Sequence, residues 1–194
     1  MLNPHAPHRY LKPVATALLI GTASIWTPSL VGVDQGSPEP APAEVTAFWE
    51  GLIGTWVADN SRHRSDADTM DAYGIEWTWG LNRKSIVGRL YGIKAGKDTG
   101  TFWEFREFWH PGERTAIAMQ FARDGTYGVG PHQVNTDGTS EMLQVFYDPV
   151  QRTITKTGHR GKLTRDVHTT TSFAVDGKGV WKERRSYVWR RQRN

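Results

Sequence analysis

The amino-acid sequence predicts an all-β fold, a single antiparallel up-and-down β-barrel of about ten strands with a short N-terminal helix. Three observations lead to this prediction. Apolar and polar residues alternate with period two through most of the chain after residue 71. Short turns rich in Gly and Asp separate the alternating segments, which favours sequential antiparallel neighbours. A meander of this length must split into a sandwich or close on itself to remove its edges, and closure is the simpler outcome.

The first element predicted along the chain is a short amphipathic helix over residues 44–54. Its apolar side chains recur every three or four residues, as on one helical face, and glycines end the pattern. These side chains are Val45, Phe48, Trp49, Leu52 and Ile53. We expect the helix to close one mouth of the barrel.

The predicted strands begin directly after the helix and continue beyond a polar loop at residues 60–71. They are residues 55–58, 73–81, 85–93, 101–110, 115–123, 127–135, 140–147, 153–159, 163–174 and 180–190. Turns are predicted between them from Gly, Asp, Asn and Pro, including one at residues 158–161. Helices and strands do not alternate along the chain, so a parallel α/β fold is excluded.

Residues 1–23 are predicted to be a signal peptide. A basic flank that includes Arg9 and Lys12 precedes an apolar run at residues 14–20. Small residues then offer a cleavage site, and we expect cleavage after Ala23. The mature protein is therefore expected to be periplasmic or secreted.

Cleavage would leave a Pro-rich flexible spacer at residues 24–43 and a barrel domain at residues 44–194. The alternative is an uncleaved membrane anchor, because residues 14–33 are mostly apolar. Proline and hydroxyl residues interrupt this stretch, whereas a span needs about 20 strongly apolar residues. No stable membrane span is expected once the signal has been removed.

Composition narrows the function classes further. The chain has no cysteine, which excludes disulfides, thiolate metal sites and a cysteine nucleophile. The formal charge is only +4 and is scattered apart from an arginine-rich C-terminus, so nucleic acid is not an expected partner. The histidines lack the spacing of a metal cluster, and no metal is expected. We expect a monomer or homodimer.

The pair Gly54 and Trp56 carries a family resemblance. A Gly-x-Trp motif just before a run of strands resembles the opening of calycin-type barrels, which are the lipocalins, fatty-acid-binding proteins and nitrobindin-like heme barrels. From Gly54 to Arg191 the chain is similar to a family of bacterial lipocalin-like domains of unknown function, which are often exported. The resemblance implies a cup for a small molecule, with a last-strand arginine, taken here as Arg190, covering Trp56.

The aromatic strand faces are the predicted ligand site. Trp77 and Trp79 share a face of their strand whose opposite face is small or polar, so the aromatic face should point into the barrel. The predicted ligand-binding residues are Trp77, Trp79, Trp103, Phe105, Trp109, Trp181, Arg185 and Tyr187. We expect a small, largely apolar or aromatic ligand, with Arg185 as the anchor of an anionic group.

Two other functions stay open. In the first, the barrel is solid, and its charged side chains pair with each other or face solvent. The protein would then be a structural or interaction module. An enzyme on the same scaffold would be an isomerase, cyclase or lyase that uses Glu107, Tyr187 and either His110 or His168 as acid and base. The chain has no nucleophile elbow or phosphate loop, and no catalytic residue is assigned.

The resemblance to the nitrobindin-like barrels also implies a heme ligand, for which His168 is the candidate within a late strand. Its predicted strand face is wholly polar, which is typical of a solvent-facing surface. The members of that face are Thr164, Asp166, His168, Thr170 and Ser172. The first strand also lacks the further glycines of the heme family. The expectation is therefore a barrel without a cofactor.

Overall fold

The computed structural model describes residues 39–193 and is a closed antiparallel up-and-down barrel of ten strands, preceded by one α-helix. The predicted fold class is confirmed. The elements are α1 Ala43–Leu52, β1 Gly54–Asp59, β2 Ala72–Trp79, β3 Ser85–Lys94, β4 Lys97–His110, β5 Thr115–Ala122, β6 Tyr127–Val134, β7 Thr139–Asp148, β8 Thr153–Leu163, β9 Val167–Val175 and β10 Trp181–Arg191.

The N-terminal predictions lie mostly outside these residues. The proposed signal peptide and most of the proposed spacer fall before residue 39. Among the described residues, no helix has the length and apolar character that crossing a membrane requires.

Each strand pairs with its neighbours in the chain, and the pairing of β1 with β10 closes the ring. The closing register is short and joins Trp56 to Arg191 and Val57 to Arg190. Strands β3 and β8 are five strands apart around this ring of ten, so they lie on opposite walls of the lumen.

Helix α1 plugs one end of the barrel with its apolar face. Val45, Phe48, Trp49 and Leu52 are buried, and they pack with lumen residues such as Ile86. Burial of these apolar side chains is the main contribution to the free energy that holds the helix on the barrel. Trp49 is only 1% exposed.

The predicted turn at residues 158–161 is wrong, because both of its glycines lie inside β8. A Cβ on Gly158 would lie 2.1 Å from the ring of Trp181. This glycine therefore makes room for an aromatic side chain instead of reversing the chain. The chain turns after Leu163, where the backbone N–H of Thr164 donates to the carbonyl of Val167.

A β-bulge in β10 changes which side chains of that strand face the lumen. Glu183 pairs with Phe173, whereas Arg185 pairs with Ser172, so one extra residue stands between the two pairs. Residues before the bulge therefore lie on the opposite side from the one that strict alternation predicts. The sequence interpretation placed Trp181 and Arg185 on one face, and the structure places them on opposite faces.

The arginine that covers Trp56 is Arg191, not Arg190. The Arg191 guanidinium carbon lies 4.2 Å from the centre of the Trp56 ring. Its Nη1 donates to the Ile53 carbonyl at 2.6 Å, and its Nη2 donates to the Gly51 carbonyl. Arg190 is exposed, because neighbouring residues of a strand point to opposite faces.

Candidate functional site

The barrel encloses a cavity of about 620 Å³. This volume lies within the range of about 300–1,000 Å³ that is usual for small-molecule sites. Phe48 of α1 lines one end, which the helix closes. At the other end, the mouth, Gln151 and Thr153 line the cavity and are exposed, so the lumen opens there. The lumen is therefore not filled by its own side chains.

One wall of the cavity is aromatic and comes from β2 to β4. Trp77 and Phe105 stack with their ring centres 5.4 Å apart. Trp103 makes an edge contact with Phe146 of β7 at 5.8 Å. Trp77 pairs across to Gly88, which pairs to Phe105, so strand alternation turns the two rings inward together. Gly88 leaves space for the Trp77 ring, which would lie 2.6 Å from a Cβ at this position.

The opposite wall is polar and comes mainly from β8 and β9. Its inward side chains carry hydroxyl and imidazole groups, which are Thr153, Thr155, Thr157, His159, His168, Thr170 and Ser172. A ligand would therefore meet rings on one side and hydrogen-bonding groups on the other.

Glu107 is a buried polar residue of the cavity lining, near the helix. Trp49 of α1 donates from Nε1 to one carboxylate oxygen at 2.6 Å. His132 places Nδ1 2.9 Å from the other oxygen. Because a carboxylate accepts hydrogen bonds, the geometry assigns the Nδ1 hydrogen to His132.

Two further imidazoles, His159 and His168, face the lumen near this pair. Burial, and secondarily the nearby His132, lower the pKa of each from 6.5 to about 4. Both side chains are therefore neutral at neutral pH. We call Glu107, His132, His159 and His168 together the floor of the cavity.

The inward position of His168 corrects the interpretation from sequence. Its polar face was expected to meet solvent, but His168, Thr170 and Ser172 line the cavity. The His168 ring makes edge contacts with Phe48 at 6.4 Å and Trp56 at 6.2 Å. A polar face points inward here because the lumen is a cavity and not an apolar core.

The predicted ligand-binding residues divide into two groups. Those that line the cavity are Trp77, Trp103, Phe105, Arg185 and Tyr187. Trp79 and Trp109 instead pack against the α1 cluster, beyond the floor. Trp181 lies outside the barrel, with its ring centre 5.3 Å from that of Phe173. Among the described side chains, Trp109 Nε1 is the one polar atom that is fully enclosed without a hydrogen-bond partner.

Arg185 lines the cavity, but its guanidinium already has a carboxylate partner. Its Nη1 lies 2.5 Å from Asp68, which also accepts from the Tyr73 hydroxyl at 2.6 Å. Burial raises the pKa of Asp68, but the hydrogen bonds from Tyr73 and Arg185 outweigh it and hold this pKa below its usual value. Asp68 thus ties the loop of residues 60–71 to the lumen wall. The anion-anchor role expected of Arg185 does not follow from this geometry.

Of the acid and base candidates named from sequence, three line the cavity and one lies away from it. Glu107, Tyr187 and His168 line the cavity. His110 does not; its Nδ1 accepts from the backbone N–H of Glu113 at 3.0 Å in the β4–β5 turn.

Sequence reasoning missed His132 and His159. Each lies on a strand face that lacks large apolar residues, with Gly128 and Gly130 before His132, and threonines before His159. Such faces were not recognised as lumen faces. Within residues 39–193, no three or more His, Asp or Glu side chains are grouped closely enough to hold a metal ion.

Comparison with known proteins adds little to this description. No family model and no curated protein matches the chain. Among solved structures, the crystal structure of Rv2717c from M. tuberculosis aligns with a TM-score of 0.47 and 12% identity, over 80% of this chain and 100% of that chain. A similarity at this level transfers neither residue roles nor an activity.

Proposed function

We propose that this protein is an exported carrier or sensor that binds a small, largely apolar or aromatic molecule in the barrel lumen. The observation that supports it best is the open cavity of about 620 Å³ with aromatic residues along one wall. Stacking of a flat ligand on such a wall adds about 0.5–1.5 kcal/mol beyond the burial of its surface. Export is the expectation from the N-terminal sequence.

The test is a binding titration with N-phenylnaphthylamine, a neutral apolar fluorophore. We expect saturable binding to the wild type and affinity about tenfold weaker for Trp103→Ala, because Trp103 lines the cavity. Trp181→Ala is the matched control, since Trp181 lies on the outside against Phe173. Equal effects of the two substitutions, or no saturable binding, would show that the lumen is not the site.

Native mass spectrometry of the protein purified from its own host would then identify the natural ligand. A retained mass that is lost in Trp103→Ala but kept in Trp181→Ala would assign it to the cavity. A mass retained equally by both variants would assign it elsewhere.

Heme is a second candidate, favoured by the inward position of His168. A neutral imidazole with an available nitrogen is the form that binds iron, and the low pKa of His168 supplies it. The aromatic wall would suit a flat macrocycle. His159, which is also neutral and lines the same cavity, is the other residue that would hold the iron.

Titration with hemin, followed by visible absorbance, tests this candidate. A histidine-ligated spectrum that His168→Gln or His159→Gln abolishes and His110→Gln leaves intact would support it. A spectrum that all three variants share with the wild type would contradict lumen ligation.

A further inference from the structure

The hydrogen-bonded pair of Glu107 and His132 has the arrangement of an oriented base. The two side chains are only 5% and 10% exposed, and their contact is 2.9 Å long. Trp49 fixes the carboxylate from the other side at 2.6 Å. A carboxylate that accepts from Nδ1 sets the tautomer, so the neutral form of the His132 imidazole carries its lone pair on Nε2.

The Nε2 atom of His132 is reachable from the lumen. His132 lines the cavity, and none of the described residues forms a hydrogen bond with its Nε2. Nε2 is also not fully enclosed by protein. Among the described side chains, a polar atom that is both fully buried and without a hydrogen-bond partner is found only at Trp109 Nε1. A bound molecule can therefore supply the missing donor.

The charges around the floor select a neutral donor over an anion. His159 and His168 are uncharged near neutral pH because their pKa values are low. Arg106, the neighbour of Glu107 on β4, contributes to the cavity lining but is exposed, as strand alternation predicts for a residue next to an inward one. An anion that entered with its own charge would meet the buried Glu107 carboxylate, and two like charges close together in a buried place are costly.

The aromatic wall continues down to this pair. Phe105 is the next inward residue above Glu107 on β4, and Trp77 stacks on it at 5.4 Å. Phe48 makes an edge contact with the His132 ring at 5.4 Å. An aromatic ring against Phe105 would therefore direct a substituent toward His132.

We propose that the floor is a proton-accepting subsite for the hydroxyl of a phenol-type aromatic ligand, an inference that rests on the proposed function. The ligand O–H bond breaks, its electron pair stays on oxygen, and the proton forms a new N–H bond at His132 Nε2. Glu107 stabilises the resulting imidazolium, and the proton returns when the ligand leaves. The floor and the ligand together keep the same total charge throughout, since the positive charge gained by His132 equals the negative charge left on the ligand oxygen.

The experiment uses para-nitrophenol, whose phenolate has its own visible absorption band, and nitrobenzene, which lacks the hydroxyl. Quenching of tryptophan fluorescence reports occupancy, and absorbance reports ionisation. We expect wild-type protein to bind para-nitrophenol more tightly than nitrobenzene and to lower the apparent pKa of the bound phenol by about one unit or more.

Two substitutions identify the base, and one serves as the control. Glu107→Gln and His132→Gln should remove the shift in the apparent pKa of the phenol while binding of nitrobenzene persists. His110→Gln, which changes a histidine outside the cavity, should keep the full shift. A shift that survives in His132→Gln would overturn the assignment.

The wild-type measurements decide the proposal even if the buried variants do not fold. Bound para-nitrophenol with an unshifted pKa, or no preference over nitrobenzene, overturns the inference. If N-phenylnaphthylamine still binds in that case, the proposed function is retained and only the proton-accepting subsite is rejected. Failure of all three compounds to bind would overturn both proposals.

Discussion

The chemical properties of single residues in this barrel depend on their surroundings more than on the residue type. His159 and His168 face a cavity that they share with His132, and the pKa of each falls to about 4 because burial disfavours the charged imidazole. His110, the last residue of β4, does not line this cavity, and its Nδ1 accepts from the backbone N–H of Glu113. Histidines of one chain therefore lie in different chemical environments.

The low pKa of His159 and His168 predicts that stability falls on acidification. In the unfolded chain these groups take up protons near pH 6.5, whereas in the folded state they do so near pH 4. The unfolded state thus binds more protons between these values, and stability drops across this window by up to about 1.4 kcal/mol per pH unit for each histidine. Below about pH 4 the two histidines add no further loss.

Urea unfolding at a series of pH values measures this effect. Replacing both histidines by Gln should flatten the slope between about pH 6.5 and 4. An identical slope in the wild type and the double variant would contradict the assignment.

At the scale of elements, close approaches between strands position the site. Gly130 lies two residues before His132 on β6, and a Cβ there would lie 1.9 Å from the Leu143 carbonyl oxygen of β7. The obstacle is backbone, which cannot rotate away as a side chain can. This close contact between the backbones of β6 and β7 fixes the course of β6, which carries His132 to the floor of the cavity.

Gly130→Ala should therefore destabilise the protein by about 2 kcal/mol or more, because β6 and β7 must separate locally. The matched control is Gly177→Ala, since Gly177 lies in a turn where a Cβ would meet nothing within 4 Å. Thermal or urea unfolding of the two variants measures the difference. Equal stability would mean that the barrel absorbs the extra methyl group without strain.

At the scale of the whole molecule, closure depends on a short seam. The β1–β10 register joins two residue pairs, whereas β1 and β2 are paired from Gly54 to Asp59. The Arg191 side chain reinforces the seam because it covers Trp56 and donates to the carbonyls of Gly51, at the end of α1, and of Ile53, between α1 and β1. Helix, first strand and last strand thus meet at one guanidinium.

Arg191→Leu should cost about 2 kcal/mol or more, because it removes hydrogen bonds from a charged group and leaves two partly buried carbonyls unpaired. Arg190→Leu is the matched control on the exposed face and should change stability by about 0.5 kcal/mol or less. Urea unfolding gives the two values, and amide hydrogen exchange of β1 should be faster in the Arg191 variant. A larger loss in Arg190→Leu would restore the assignment made from sequence.

The sequence by itself determined the elements of this protein. Local alternation, turn residues and one helical apolar stripe predicted the helix and about ten antiparallel strands, because these depend on neighbours along the chain. Barrel closure followed from the length of the meander, because a long open sheet leaves unpaired edges. It also placed Trp77, Trp103 and Phe105 toward the lumen, since aromatic faces turn inward in most strands.

Only the tertiary structure decided which polar groups form the site. The β10 bulge moved Trp181 outside, an effect that strict alternation cannot show. His132, His159 and His168 come from separate strands and meet only when the ring closes around a cavity. A lumen that holds a ligand tolerates polar faces, so hydrophobicity along the chain does not show which face is inside.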